Sequence, residues 1–475
     1  MKAFRAIVGL TFRNAMRSHI FQLLLAVLLL CVVVIPVSVS VGKAEEFIRV
    51  SLLYSLWAVS IVLSLSSLWL GCFVMSRDID NYQMHMIASK PVSRITVWLG
   101  KWVGINLVNI ILLFAASAAV YGIVMYRYHT AADRSRYAER AGERKLLEAE
   151  KERIRTKVLV GRRGYLPERP DVEKRADEIV QSMVAAAVKS GKRPSDEEIA
   201  AMRLDVKKRL QAPVEVLPGR PREWRFRSVP LSLNGSDIYL RYRPYIKKVS
   251  SEDQRNTHLL WGFLEPRKNP DTGAVSVYPR LLTPQPEQVF TGVFHEKILP
   301  KGSVAPDGTV TIFVSNLDRY GDKHYYQQAD GPKLLVPVCG FEENFLRGLL
   351  VMTIQLLLLS GIACAFGGFL TMPTAVFMVV SYLLFGSFSM ILTDSEFFVG
   401  SGFDRLGQVV AGWLLKVVIP LQRFDITDML AGGELIEYGF IGQLFLRYFI
   451  LRGVPLFLLG IWLYRRRELG AAVRK

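Results

Sequence analysis

The chain has 475 residues, 51% of them hydrophobic, and carries 60 Lys and Arg against 42 Asp and Glu, a formal charge of +18. Its apolar residues gather at the two ends and its charged ones in the middle, so the basic charge divides between the flanks of greasy runs and a polar central segment. This excludes a nucleic-acid face, which needs clustered cations, and the length allows two or three structural units.

The opening "MKAFRAIVGLTFRNAMRSH" places Phe4, Val8, Phe12 and Ala15 at helical spacing, with Lys2, Arg5, Arg13 and Arg17 among or opposite them. It reads as a helix lying in a membrane interface, or as the basic start of the first span. A bilayer core of ~30 Å needs ~20 mostly apolar helical residues. Six stretches supply them, at 20–42, 50–75, 97–126, 345–366, 371–392 and 441–464. The first is too long for a cleaved signal and lacks a small-x-small site; neighbouring helices accommodate Pro36 within it.

Between the second and third runs lies "SRDIDNYQMHMIASKPVSRITVWLGKWVG", residues 76–104. Ile79, Tyr82, Gln83, Met86 and Ile87 share one face of a short helix. Pro91 disfavours helix at the residue before it, Ser93 caps the next helix, and Arg94 and Lys101 anchor that helix's end. Lys2, Arg5, Arg13, Arg17, Arg77, Lys90, Arg94, Lys101 and Arg465 to Arg467 then share one side. By the positive-inside rule this side is cytoplasmic and holds both termini. The polar middle falls outside the cell membrane, where a long loop is exempt from that rule.

Four units are expected: 1–126 with the interfacial helix and spans 1–3; 127–212, a helical segment; 213–342, a β-sandwich; and 343–475 with spans 4–6. The helical segment first continues the third span outward. A helix follows, with Val172, Ala176, Ile179, Val180, Met183, Val184, Ala187 and Val188 on one face, Asp171 at its start and Gly191 at its end. A capping box at Ser195 and Glu198 opens another, striped by Ile199, Met202, Val206 and Leu210. After Pro213 the period becomes two. "WRFRSV", "DIYLRYRPY", "HLLWGFLE", "AVSVYPRLL", "VFTGVFHEKIL" and "GTVTIFVSNL" read as strands, with a hairpin turn at Asp307-Gly308. This part resembles jelly-roll modules, a group that includes carbohydrate-binding ones. Trp224, Trp261, Tyr239 and Tyr242 are core residues or sugar-stacking platforms. His258, His295 and His324 lack a second ligand at metal spacing and read as packed or polar side chains.

The run at 406–420 is short and contains Lys416, and reads as an outer re-entrant or surface helix. Within the spans, Asn106, Asn109 and Gln355 are expected to bond between helices. Arg452 is expected to snorkel toward the outer headgroups beside Arg447. Cys31, Cys72, Cys339 and Cys364 form no CxxC pair or disulfide framework and read as small buried hydrophobes. No GxxxxGK[ST] phosphate loop is present; "VKSGKRPS" lacks its upstream glycine. No nucleophile elbow, HExxH or paired-carboxylate pattern suggests an enzyme, and no cofactor is expected.

"ASKPVSR", the Lys of "WLGKWVG", the "RDID" before them and the terminal "YRRRELG" resemble the permease subunits of ABC transporters of the type-2, exporter-like class. The resemblance covers the two membrane portions. It implies a polytopic α-helical permease, homodimeric or heterodimeric, whose connection after the second span is a coupling helix docked on a separate ATPase subunit. Carried over, Asp78, Asp80, Tyr82 and Met86 would touch that ATPase, and Lys90, Pro91, Arg94 and Lys101 would shape the return to the membrane. The large insertion between the third and fourth spans departs from the common pattern. Two other readings stand beside export: a membrane-anchored receptor for glycan or a partner, and an ABC-linked machine that moves an outer complex without passing a substrate.

Overall fold

The computed structural model describes residues 2–17, 19–38, 44–80, 92–136, 141–168, 171–191, 194–231, 237–246, 256–268, 275–318, 321–327, 331–394 and 402–466. The chain divides into a helical unit, Met1–Gly161 with Cys339–Lys475, and an inserted unit, Arg162–Val338. Composition changes near 127 and 342, but the division falls at 161/162 and 338/339. The chain beyond 126 still packs with the helical unit.

The helical unit begins with α1 (Lys2–Met16) and α2 (His19–Ser38), followed by α3 (Ala44–Asp80) and α4 (Arg94–Arg136). Next come α5 (Ala141–Arg153) and a π-helical turn, Ile154–Val158. Among the described residues, five helical segments are long and apolar enough to cross a membrane: Ala44–Arg77, Arg94–Thr130, Phe341–Gly367, Met372–Met390 and Tyr438–Arg466. A sixth crossing exists only if α1 and α2, bent by 61° to each other, count as one. Of the run expected at 20–42, the described part is helix α2, and residues 39–43 lie outside the described residues. With a separate β-sheet region, this is compatible with a membrane protein carrying a β domain.

The outside of the helical unit supports that description. Trp57, Phe114, Phe377, Phe385, Phe388, Leu451, Leu458 and Trp462 are all exposed, more apolar surface than a water-facing unit tolerates. Inside, helices meet where small residues let backbones approach, the packing used where lipid removes the hydrophobic drive between helices. A methyl added at Gly71 would lie 2.5 Å from the Ala363 Cβ, and one at Gly460 would lie 2.6 Å from the Ala365 Cα.

The inserted unit starts on β1 (Val160–Tyr165) and continues through α6 (Val172–Lys189) and α7 (Asp196–Gln211). Asp171 caps α6, accepting from the Glu173 and Lys174 amides, and Gly191 follows with φ +82°. Ser195 and Glu198 close their capping box around the start of α7. The facing stripes, Ala176, Val180 and Ile179 against Met202 and Val206, form a small core of their own.

Eleven further strands follow: β2 (Val214–Val216), β3 (Arg222–Phe226), β4 (Ile238–Tyr242), β5 (Tyr245–Ile246), β6 (Asn256–Lys268), β7 (Val275–Leu281), β8 (Glu287–Phe290), β9 (His295–Leu299), β10 (Val310–Asn316), β11 (His324–Tyr326) and β12 (Lys333–Gly340). They form three sheets, ordered β1-β12-β4-β9, β3-β10-β6-β7 with β8 also on β6, and β2-β11-β5. A jelly roll has two sheets; here the short β2, β5 and β11 make a third. "VFTGVFHEKIL" is two strands in different sheets, because Gly292 at φ +76° turns the chain between them. Asp307-Gly308 does turn, with Gly308 at φ +75°. It is no hairpin, since β9 pairs with β4 and β10 pairs with β3 and β6.

All three sheets share one apolar core. Trp224, Trp261, Tyr239 and Tyr242 are buried, with Trp224 stacked on Trp261 at 5.8 Å and Tyr242 tilted against Trp261 at 4.6 Å. They are core side chains, which removes them as a sugar platform. His324 is buried and bonded to the Thr257 hydroxyl at 2.7 Å; His295 bonds the Phe290 carbonyl. Burial pushes the Tyr242 and Tyr326 phenols up from their ordinary value.

The helical unit resumes with α8 (Phe341–Gly367), the most enclosed of the long helices, then α9 (Met372–Asp394) and α10 (Gly402–Val417). A 3-10 turn, Leu421–Phe424, and α11 (Thr427–Ala431) lead to the last crossing. That crossing is α12 (Tyr438–Leu444), a π-helical segment (Phe445–Gly453) and α13 (Val454–Arg466).

Candidate functional site

One end of the helical unit gathers the end of α3, the start of α4, the end of α8 and the end of α13. Ser93 caps α4: its hydroxyl accepts from the Thr96 amide at 3.1 Å. Arg94 donates to the Arg465 carbonyl at 2.7 Å, which ties the start of α4 to the end of α13. Ser76 donates to the Gly367 carbonyl at 3.3 Å, tying α3 to the end of α8. Trp98 donates to the Cys364 carbonyl at 3.3 Å and Trp102 to the Leu357 carbonyl at 3.2 Å. These bonds use polar atoms that would otherwise be stranded among apolar neighbours.

Lys101 departs from its expected place. It is only 3% exposed and donates to the Val74 carbonyl of α3 at 3.1 Å. It is an internal tie between α3 and α4, because the face of α4 that carries it is packed against the neighbouring helices. Gly100 and Gly104 admit Ile7 and Thr11 of α1 there. The apolar face of α1 thus rests on α4.

Helix α3 runs to Asp80, so Asp78 and Asp80 sit on its last turn, and α4 restarts at Arg94. Tyr82, Met86, Lys90 and Pro91 lie outside the described residues, as does most of the short helix expected around them. The structure therefore brings together Arg94, Lys101 and the ends of the chain segments that flank 81–91. Ser76, Trp98 and Trp102 belong to this end and were not singled out in the sequence, where serine and tryptophan within an apolar run carry no positional signal.

The opposite end of the same unit holds the start of α3, the Ile154–Val158 turn and the start of α8. Lys157 pairs with Glu45 at 3.8 Å, and the Ala44 amide donates to Glu150 at 2.8 Å. Asn344 donates to the Glu434 carbonyl and accepts from the Ile436 amide, both at 2.8 Å. Arg347 pairs with Glu343, donates to the Ile436 carbonyl and lies 4.0 Å over the Tyr438 ring. Gly161 and Cys339, where the chain leaves and re-enters this unit, are side by side here. Acidic residues are common at this end, including Glu45, Glu46, Glu342, Glu343 and Glu434.

Midway between the ends, Ser360 donates to the Asn106 carboxamide oxygen at 2.9 Å, and Gln355 donates to the Ser64 hydroxyl at 3.1 Å. Both are bonds between helices, as their positions suggested. Asn109 is fully buried and neither its amide nitrogen nor its oxygen has a bonding partner among the described residues. Arg452 does not simply reach outward: it donates to the Val418 carbonyl at 3.0 Å and lies 5.0 Å over the Tyr448 ring. Helix α10 is the amphipathic piece expected at 406–420 and is not among the five crossing segments.

The inserted unit contains an open groove of about 840 Å³, lined by Arg209, Arg222, Arg225, Glu168, Glu223 and the edge of Trp224 among others. The described residues contain no cluster of His, Cys, Asp and Glu able to hold a metal ion. No family model matches the chain, and no curated protein matches it.

Proposed function

We propose that this chain is the membrane-spanning permease subunit of an ATP-driven transporter of the exporter-like ABC class. It is paired with a second permease copy and driven by a separate ATPase bound to the connection at 81–91. The observation that carries the reading is the bracing of that connection. Its two flanking helices are locked to each other by Lys101, and to α8 and α13 through Ser76 and Arg94. A push on a segment held between braced helices displaces the bundle as a body; a push on a loose loop is dissipated. Lys2, Arg5, Arg77, Arg94 and Arg465 gather toward this end of the unit. Under the positive-inside rule the braced end is cytoplasmic and the inserted unit lies outside the cell membrane. The resemblance of "ASKPVSR" and "WLGKWVG" supplies the family.

The test is co-purification with a Walker-motif ATPase, followed by ATPase assays on Tyr82→Asp and Met86→Asp. Both variants are expected to stay folded and lose permease-stimulated hydrolysis. Unchanged stimulation, or a cysteine placed at His85 that labels from outside intact cells, rules the reading out. A second reading, a membrane-anchored receptor, is favoured by the groove in the inserted unit; it requires ligand binding there without any co-purifying ATPase.

A further inference from the structure

The last crossing contains a nine-residue π-helical segment, Phe445–Gly453. Widened turns of this kind are uncommon, and they are frequent at functional sites. Bonding from residue i to i+5 swings residues five apart toward a common face, which a regular α-helix does not do. Here the residues five apart are Arg447 and Arg452. Their guanidinium carbons lie 5.9 and 5.0 Å from the centre of one ring, that of the buried Tyr448.

Both line a cavity of about 260 Å³, together with Arg423, Gln443 and the apolar side chains Leu415 and Phe440. That is room for a phosphate group and a few waters, each of which takes ~30 Å³ in the liquid. The described lining contains three guanidiniums and no carboxylate. Arg447 and Arg452 bring two like charges to one cavity, an arrangement that a bound anion stabilises. The Arg fork matches a phosphate with two parallel N–H bonds. The Val418 carbonyl takes one Nη1 proton of Arg452 and fixes its direction.

The depth is also suitable. Leu415 comes from α10, whose exposed Trp413 has the Lys416 ammonium 4.7 Å over its ring. Tryptophan with a neighbouring cation is typical of the membrane–water interface, the level at which lipid phosphates lie.

We propose that this arginine-lined pocket binds a phosphate-bearing anion, held between Arg447 and Arg452 with Gln443 on the same wall. The proposal does not depend on the transport reading. The experiment uses the delipidated full chain in detergent, with binding read by native mass spectrometry. The probes are phosphatidylglycerol and diacylglycerol of the same tails, with inorganic phosphate as competitor. Wild type is expected to retain phosphatidylglycerol over diacylglycerol. Arg447→Gln and Arg452→Gln are each expected to weaken retention about ten-fold, the loss of one charge-assisted bond. Retention that inorganic phosphate does not displace identifies a lipid headgroup; displacement identifies a free phosphate ligand. Equal retention of the two lipids, or retention unchanged in Arg447→Gln, overturns the proposal. Arg447 is exposed on the helix surface, so its variant remains informative if Arg452→Gln fails to fold.

Discussion

The two units solve the same problem for different surroundings. In the inserted unit, large aromatic side chains fill the interior: Trp224, Trp261, Tyr242 and Tyr326 meet around one centre. Its most buried charge is paired, although the Tyr326 hydroxyl has no bonding partner among the described residues. Arg162 is 1% exposed, makes two bonds of 3.1 Å to Glu296, and lies 5.2 Å over Tyr239. In the helical unit many large apolar side chains also face outward, and glycine and alanine set the closest helix contacts beside a buried core that includes Trp98, Phe345 and Phe457. Buried hydroxyls of Ser51, Ser66, Ser67 and Ser117, and the whole Asn109 amide, have no bonding partner among the described residues. Water drives apolar bulk inward in the first case. In the second, lipid offers no such drive, so close backbone contact holds the helices together.

Three substitutions would break or sharpen that contrast. The largest effect is expected from Glu296→Ala, which removes the carboxylate paired with the buried Arg162. It should destabilise the inserted unit by ~3–5 kcal/mol, seen as an early transition by tryptophan fluorescence. The double variant Arg162→Met with Glu296→Leu should recover most of that loss. If the single variant melts like wild type, the pair does not hold the unit.

Next comes Gly460→Val, which drives methyl groups into the Ala365 backbone. Overpacking of this kind costs ~1–3 kcal/mol. The expected readout is a lowered melting temperature and aggregation of the detergent-solubilised protein, with the fluorescence transition of the inserted unit unmoved. A variant that melts normally would show that α8 and α13 are not in tight contact. The smallest effect belongs to Asn109→Leu. Replacing a buried, unbonded amide by an apolar group of similar size is expected to be neutral or stabilising by ~1 kcal/mol. A clear loss of stability would reveal a bonding partner for Asn109.

The legibility of the site follows the same divide. The caps at Ser93, Asp171 and Ser195 could be read directly, because a cap bonds to amides two or three residues away. The partners of Asn106 and Gln355 could be expected in kind, though Ser360 and Ser64 could not be named. Lys101 was misplaced because a lysine beside an apolar run usually reaches for the interface. Only the packing of α1 and α3 around α4 turns it inward. Of the segment at 81–91, Tyr82, Met86, Lys90 and Pro91 are known from the sequence alone.

By itself the sequence determined the long apolar helices, the polar insertion between them, and the change of period after Pro213. These features are local, set by hydropathy and spacing within one element. Tertiary structure decided the grouping of strands into three sheets, the pairing of Arg162 with Glu296, and the meeting of Arg447 and Arg452 at one ring. Each of these depends on distant segments approaching, or on a helix widening under its neighbours' packing. No window of consecutive residues encodes energies of that kind.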